Sequence, residues 1–229
     1  MMRTIFLTSS ITLSQPSNPN LADTFAVHDL TCIRQQRCLF EGLSFGLQSG
    51  QIMQIEGPNG AGKSSLLRIL AGFLNPESGQ MVWQGKALGH NRSEFNQDLL
   101  FIGHLAASNG HMSALENVLY WQSLHPHHDD IDPYVLLGRL GLVGLEDVTV
   151  NQLSAGQQRK VALARLWLTK AQFWILDEPF TAIDKKGVAG LQRRFNEHLA
   201  NGGMIILTTH QDLTAQFEAL KTVKLEYRI

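Results

Sequence analysis

The 229-residue sequence predicts an α/β fold organised around a phosphate-binding loop. Three observations carry this reading. Residues 57–64 read Gly-Pro-Asn-Gly-Ala-Gly-Lys-Ser, a match to G-x-x-x-x-G-K-[ST]. The match sits between an apolar alternation at 51–56, read as a strand, and a run at 65–71, read as a helix, which is the context that makes such a loop credible. The strand-and-helix alternation then returns late in the chain, where the apolar run Phe173-Trp174-Ile175-Leu176 ends in Asp177 and Glu178.

Taken in order, residues 25–30 and 43–47 read as strands, and Gln48-Ser49-Gly50-Gln51 as the turn into the loop strand. Residues 75–79 form a turn before a strand at 80–83, and 99–102 read as a buried strand. Residues 105–170 are mostly helical in pattern. Ser113 and Glu116 make a capping box, and Leu115, Val118, Leu119 and Leu124 give that helix its apolar face. The cluster at 125–130, rich in His and Asp around Pro126, reads as a solvated loop, and Asp132 caps the next helix through about Leu140. Helix 185–199, strand 204–207 and a last strand at 222–226 complete the chain. Residues 1–24, interrupted by Ser, Thr and Pro, lack the long apolar centre of a secretory signal and read as a disordered extension, or as translation from a Met upstream of the true start.

The motifs converge on nucleotide chemistry. Glycines let the loop turn its N–H groups inward around anionic oxygens, and the following helix adds its N-terminal partial charge. Gly57, Pro58, Asn59, Gly60, Ala61, Gly62, Lys63, Ser64 and Ser65 are therefore candidate ATP contacts, with Lys63 reaching the β- and γ-phosphates and Ser64 ligating Mg²⁺. Asp177 suits Mg²⁺ held through water, because that hard cation prefers oxygen ligands. Glu178 is placed to orient and deprotonate an attacking water. Leu153-Ser154-Ala155-Gly156-Gln157 precedes a strong helix at 158–166 and makes a second anion-binding helix start. The chain already fills its own phosphate loop, so this second site makes most sense facing ATP held by another subunit.

Composition narrows the partners. A formal net charge of −1 indicates no general affinity for nucleic acid. Cys32 and Cys38 make a poor disulfide framework and read as reduced thiols. No apolar run reaches the roughly 20 residues a membrane span needs. A GTPase would need a guanine-reading motif such as N-K-x-D, which is not found, and a DNA- or ribosome-acting ATPase commonly carries coiled-coil insertions or a second cassette, which this chain lacks.

With these residues in view, about residues 25–229 resemble the nucleotide-binding subunits of ABC transporters, whose signature reads LSGGQ. The resemblance implies a P-loop NTPase core of the ABC ATPase type with a helical subdomain at about 105–170 and an antiparallel β subdomain. It implies a homodimer that sandwiches two ATP molecules, each loop opposite Ser154, Gly156 and Gln157 of the other copy. It assigns Thr181-Ala182-Ile183-Asp184 as the D-loop and His210 as the switch histidine by the γ-phosphate, a catalytic partner of Lys63 and Glu178. Three positions depart from the pattern. Ala155 replaces a glycine, while Gly156, expected at the closer phosphate approach, is kept. His104 replaces the usual Gln near the Mg²⁺ and water site. Arg34 replaces the aromatic that stacks on adenine: either its guanidinium stacks on the base or it is simply solvated.

Strings such as 54–63, 98–104, 164–168, 180–185 and 207–213 are most similar to the branch of the family that serves cytochrome c maturation. That implies integral membrane permease subunits as partners, haem handled by the complex rather than by this chain, and a peripheral place on the cytoplasmic face of the bacterial inner membrane. An ATPase of another small-molecule or lipid transporter fits the motifs as well.

Overall fold

A computed structural model describes residues 24–104, 107–124, 131–217 and 220–227. The expected extension at the N-terminus, up to residue 23, and the cluster at 125–130 lie outside the described residues. In chain order the strands are β1 (Phe25–Arg34), β2 (Arg37–Leu47), β3 (Ile52–Glu56), β4 (Ser78–Trp83), β5 (Lys86–Ala87), β6 (Leu99–Ile102), β7 (Phe173–Asp177), β8 (Met204–Thr208) and β9 (Leu220–Lys224). The α-helices are α1 (Lys63–Leu70), α2 (Arg92–Asp98), α3 (Ala114–Leu124), α4 (Pro133–Arg139), α5 (Ala155–Leu163), α6 (Arg165–Leu168) and α7 (Lys185–Ala200).

Two sheets form the frame, as the expected α/β core with an antiparallel β subdomain requires. One is five-stranded and parallel in the order β6-β7-β8-β3-β9, and the other is antiparallel in the order β2-β1-β4-β5. β7 and β8 are buried along their whole length. That fits their unbroken apolar sequence, since parallel strands are covered on both faces. α1 buries Leu66, Leu67, Ile69 and Leu70 in the main core. Four aromatics in that core tie the two sheets together. Trp83 of β4 stacks on Phe173 of β7 with centroids 5.6 Å apart, and Phe25 and Phe95 pack against both. Each such ring, fully buried, contributes on the order of 1.5–3 kcal/mol. A separate apolar cluster, including Val118, Trp121, Leu136, Leu137 and Val161, holds α3–α6.

The structure corrects several sequence-level boundaries. β1 continues to Arg34, because its hairpin turn at Gln35 and Gln36 adopts φ of 49° and 64°, the two-residue turn that matches strand twist. The helix expected at 158–166 begins earlier, at Ala155, and divides after Leu163 into α5 and α6. β9 lies two residues before the expected last strand. α3 has the expected cap: the Ser113 amide donates to Glu116 Oε2 at 2.7 Å, and the Glu116 amide to Ser113 Oγ at 3.1 Å. Its buried face differs from expectation, being Ala114, Asn117, Val118 and Trp121, while Leu119 and Leu124 are about half exposed. The helix turns this way because the buried Asn117 amide donates inward to the carbonyls of Asn109 and Ser113.

Candidate nucleotide site

In the parallel sheet β7, β8 and β3 are neighbours, so their C-terminal ends open onto one edge, where ligands of open α/β sheets bind. β3 delivers the loop 57–62 and α1, β7 delivers Asp177 and Glu178, and β8 delivers Thr208 to His210. A cleft of about 310 Å³ there includes Gly57, Lys63, Thr209 and His210 in its lining. A larger cavity of about 400 Å³ lies between α4, α5 and α7. It holds none of the phosphate-loop residues, so chemistry favours the smaller cleft, which holds Gly57 and Lys63.

The phosphate loop is built by local conformation. Gly62 caps α1 with φ of 100° and offers no side-chain acceptor, which leaves the first helical N–H groups for an outside anion. Lys63 folds over the loop, its Nζ donating to the carbonyls of Gly57 at 2.6 Å and Pro58 at 3.2 Å. Ser64 stands exposed beside it.

Behind the loop, the buried Asp177 accepts a 2.7 Å hydrogen bond from Thr208 Oγ1, and that same oxygen accepts from the Glu178 amide at 2.9 Å. Thr208 thus fixes both acidic residues. Glu178 holds φ of 51°, a left-handed conformation that costs a non-glycine residue on the order of 1–3 kcal/mol. Its carboxylate lies 3.5 Å from His210 Nε2. The glutamate side chain is 14% exposed and the histidine 72%, so the pair joins a largely buried carboxylate to an open imidazole at the cleft.

Ser154 caps α5 and closes a capping box with Gln157: Ser154 Oγ accepts from the Gln157 amide at 3.3 Å, and Gln157 Oε1 accepts from the Ser154 amide at 2.9 Å. Neither residue lines the Lys63 cleft, and nor does Gly156. The close approach that Gly156 permits in this chain is to the Ala182 carbonyl, with which an added Cβ would collide. The expected phosphate approach thus gains a second reason for glycine, one internal to the chain. Ala182 sits at φ of 62° within residues 181–184, the expected D-loop. The end of that segment is anchored too: Asp184 caps α7 and pairs with Lys160 at 2.7 Å. The Lys160 hydrogen bond, with the Gly187 amide, holds the Asp184 carboxyl below the usual carboxylate range.

Sequence reasoning missed three buried polar residues. Thr208 is one. Arg159 is another: from α5 its guanidinium donates to the Gly103 carbonyl at 2.7 Å and the Asp177 carbonyl at 2.5 Å. Burial lowers its pKa, while the charges of Asp177 and Glu178 oppose that shift. Gln54 of β3 is the third, donating to the carbonyls of Thr209 and Gln211. Gln54 and Thr208 are polar residues within or at the end of an apolar run, and that was the available signal; Arg159 sits among Gln158 and Lys160 and carried none. His104 follows Gly103 with an exposed side chain, and Arg34 is exposed at the hairpin end. Tyr227, also not singled out from the sequence, packs its ring 3.4 Å from the place a Cβ would take on Gly60, with the Arg37 guanidinium 3.9 Å above that ring. Among the described residues no three His, Cys, Asp or Glu side chains gather as a protein-only metal site.

The family model for ABC transporters matches residues 40–181. Among curated relatives, the cytochrome c biogenesis ATP-binding export protein CcmA of Yersinia pestis is 55% identical over 187 residues, covering 82% of this chain and 86% of that protein. The CcmA of Idiomarina loihiensis is 55% identical over 199 residues, covering 87% and 91%. A solved ATP-binding subunit of an ABC transporter superposes with a TM-score of 0.73 at 24% identity, covering 84% of this chain and 81% of that one. An ATP-binding cassette solved as a dimer in a post-hydrolysis state with ADP and Pi gives 0.73 at 19% identity, covering 90% and 97%.

Proposed function

This chain belongs to the ABC transporter family of ATP-binding proteins, and from that premise we propose that its ATP hydrolysis powers haem delivery for c-type cytochrome maturation. It binds and hydrolyses ATP as the ATPase of a transporter. The observation that carries the site assignment is the shared strand edge, where Lys63, Glu178 and His210 arrive from three neighbouring strands.

The phosphates lie on the N–H groups of residues 57–65, and the Lys63 ammonium neutralises charge on the β- and γ-oxygens. Glu178 takes a proton from the water that attacks the γ-phosphorus. The bond from that phosphorus to the bridging oxygen breaks, and ADP leaves with the electron pair. His210, 3.5 Å from Glu178, steadies the γ-phosphoryl oxygens and the base together. Ser64 and Asp177 form the hard oxygen donor set that suits Mg²⁺, while the imidazole of His104 suits a harder, water-preferring ion less well and acts there through water. When bound, that ion neutralises phosphate charge. Arg34 lies against the base.

Ser154, Gly156 and Gln157 serve a second copy of the chain. The exposure of Ser154 supports this, as does the dimeric state named for a structural neighbour. The designation of the relatives supports a place in cytochrome c biogenesis. Haem is then the cargo of the assembly, because c-type cytochromes need it attached. No described helix is long and apolar enough to cross a membrane. Membership of the transporter family supports permease subunits as the path through the bilayer, with this chain peripheral on the cytoplasmic face.

The test is Glu178→Gln in the full chain. It should bind ATP, dimerise stably and lose about 10²-fold or more in turnover. In cells it should abolish haem-stained c-type cytochromes, and the tagged chain should bring membrane permease subunits with it from solubilised membranes. Normal cytochrome c in the variant strain would overturn the haem assignment, and brisk turnover would overturn the role of Glu178.

A further inference from the structure

Side chains alternate faces along β3, so Ile52, Gln54 and Glu56 share one face, while Met53 and Ile55 enter the main core on the other. Ile52 on the first face is buried in the second apolar cluster with Ile205, Leu207 and Leu213. Gln54, next along that face, is only 5% exposed. An amide in such surroundings is costly unless its hydrogen bonds are made. Its Nε2 donates to the Thr209 carbonyl and to the Gln211 carbonyl, each at 3.4 Å. These are the two carbonyls that flank His210.

We propose that Gln54 is the positioning residue for His210, holding the switch histidine from inside the sheet so that its imidazole meets Glu178 and the γ-phosphate; this rests on the reading of His210 given above. The imidazole is mostly exposed, so packing does little to aim it. Its direction is set by the backbone at 209–211, which lies beyond the end of β8 and outside the ladder. The other fastening among the described residues is local, the Gln211 amide donating to Thr209 Oγ1 at 3.1 Å. Gln54 joins the loop to the strand that carries the phosphate loop. Its two bonds therefore make the position of His210 depend on the strand that leads to Lys63.

Gln54→Leu removes both donors, keeps a side chain of similar bulk and leaves the β3 ladder to β8 and β9 in place, so the fold should survive; Gln54→Met, unbranched and of similar length, is the second variant. Single-turnover ATP hydrolysis by the purified full chain should fall about 10–100-fold in rate, the scale expected when a reacting group is misplaced by about 1 Å. The ATP concentration for half-saturation should move less than about threefold. In a His210→Ala background the Gln54 substitution should add no more than about twofold, since the residue acts through the histidine. Wild-type rates in both Gln54 variants beside an impaired His210→Ala would overturn the proposal alone, as would losses that multiply with those of His210→Ala. A His210→Ala variant at the wild-type rate would instead overturn the site reading beneath it.

Discussion

Acidification should weaken this fold through one buried imidazole. His198, in the last turn of α7, is 8% exposed and stacks on Trp174 with ring centroids 3.6 Å apart and planes 6° apart. The backbone of Gly203 closes the other side, where a Cβ would collide with the ring. Its Nε2 is buried without a hydrogen-bond partner among the described residues. Burial first, then the positive charge of Arg194, lower its pKa from 6.5 to about 4. The folded form therefore binds this proton less readily than the unfolded chain. Stability from this group is fully present above about pH 6.5 and is lost as pH falls towards the folded value near 4. A shift of that size is worth about 3 kcal/mol, of which about 2 kcal/mol is gone at pH 5. Urea unfolding followed by tryptophan fluorescence should show the midpoint fall by about 1 M between pH 7 and pH 5. Asp184 and Asp212 titrate in a lower window, since hydrogen bonds hold both below the usual carboxylate value of 3.8. His198→Gln, which keeps a flat polar group but does not titrate, should flatten the slope between pH 6.5 and 5. An unchanged slope in that variant would refute the assignment.

Gly156→Ala places a methyl against the Ala182 carbonyl and should cost about 1–3 kcal/mol, read as a fall in melting temperature, together with slower ATP turnover because the D-loop must shift. Arg159→Leu strips the donors from the Gly103 and Asp177 carbonyls. It should lower stability by about 2 kcal/mol in chemical unfolding and reduce turnover with little change in ATP binding. Arg34→Ala should weaken ATP binding in a fluorescent-nucleotide titration, whereas Arg34→Tyr should not, since both an aromatic ring and a guanidinium plane can stack on a base.

The parts of this site that could be read in sequence are those whose chemistry is local. A glycine loop between strand and helix, a strand ending in two acids, and a capped helix each declare themselves within about ten residues; the loop and the acidic strand end form where their patterns put them, while the helix capped by Ser154 starts three residues before the expected run. What could not be read depends on which strands become neighbours. Nothing in the order of the chain sets Gln54 beside residues 209–211 or Arg159 beside Gly103, and those contacts exist only because β3 pairs with β8 and β6 with β7. The error on α3 has a different origin. Leu119 and Leu124 suit an apolar face by composition, yet the hydrogen bonds of Asn117 to the carbonyls of Ser113 and Asn109, just upstream, decide which side goes in. Gly156 carries the point furthest, because one residue answers to two demands. Its motif speaks for a phosphate, while its packing answers to Ala182, so substituting it disturbs the backbone at Ala182 of its own chain before any nucleotide is met. The signature helix is joined to the acidic strand end through Arg159 and to the D-loop through Lys160 and Asp184, with Gly156 packed between. A push on the start of α5 therefore reaches Asp177 and Asp184 through direct contacts, without a change in fold.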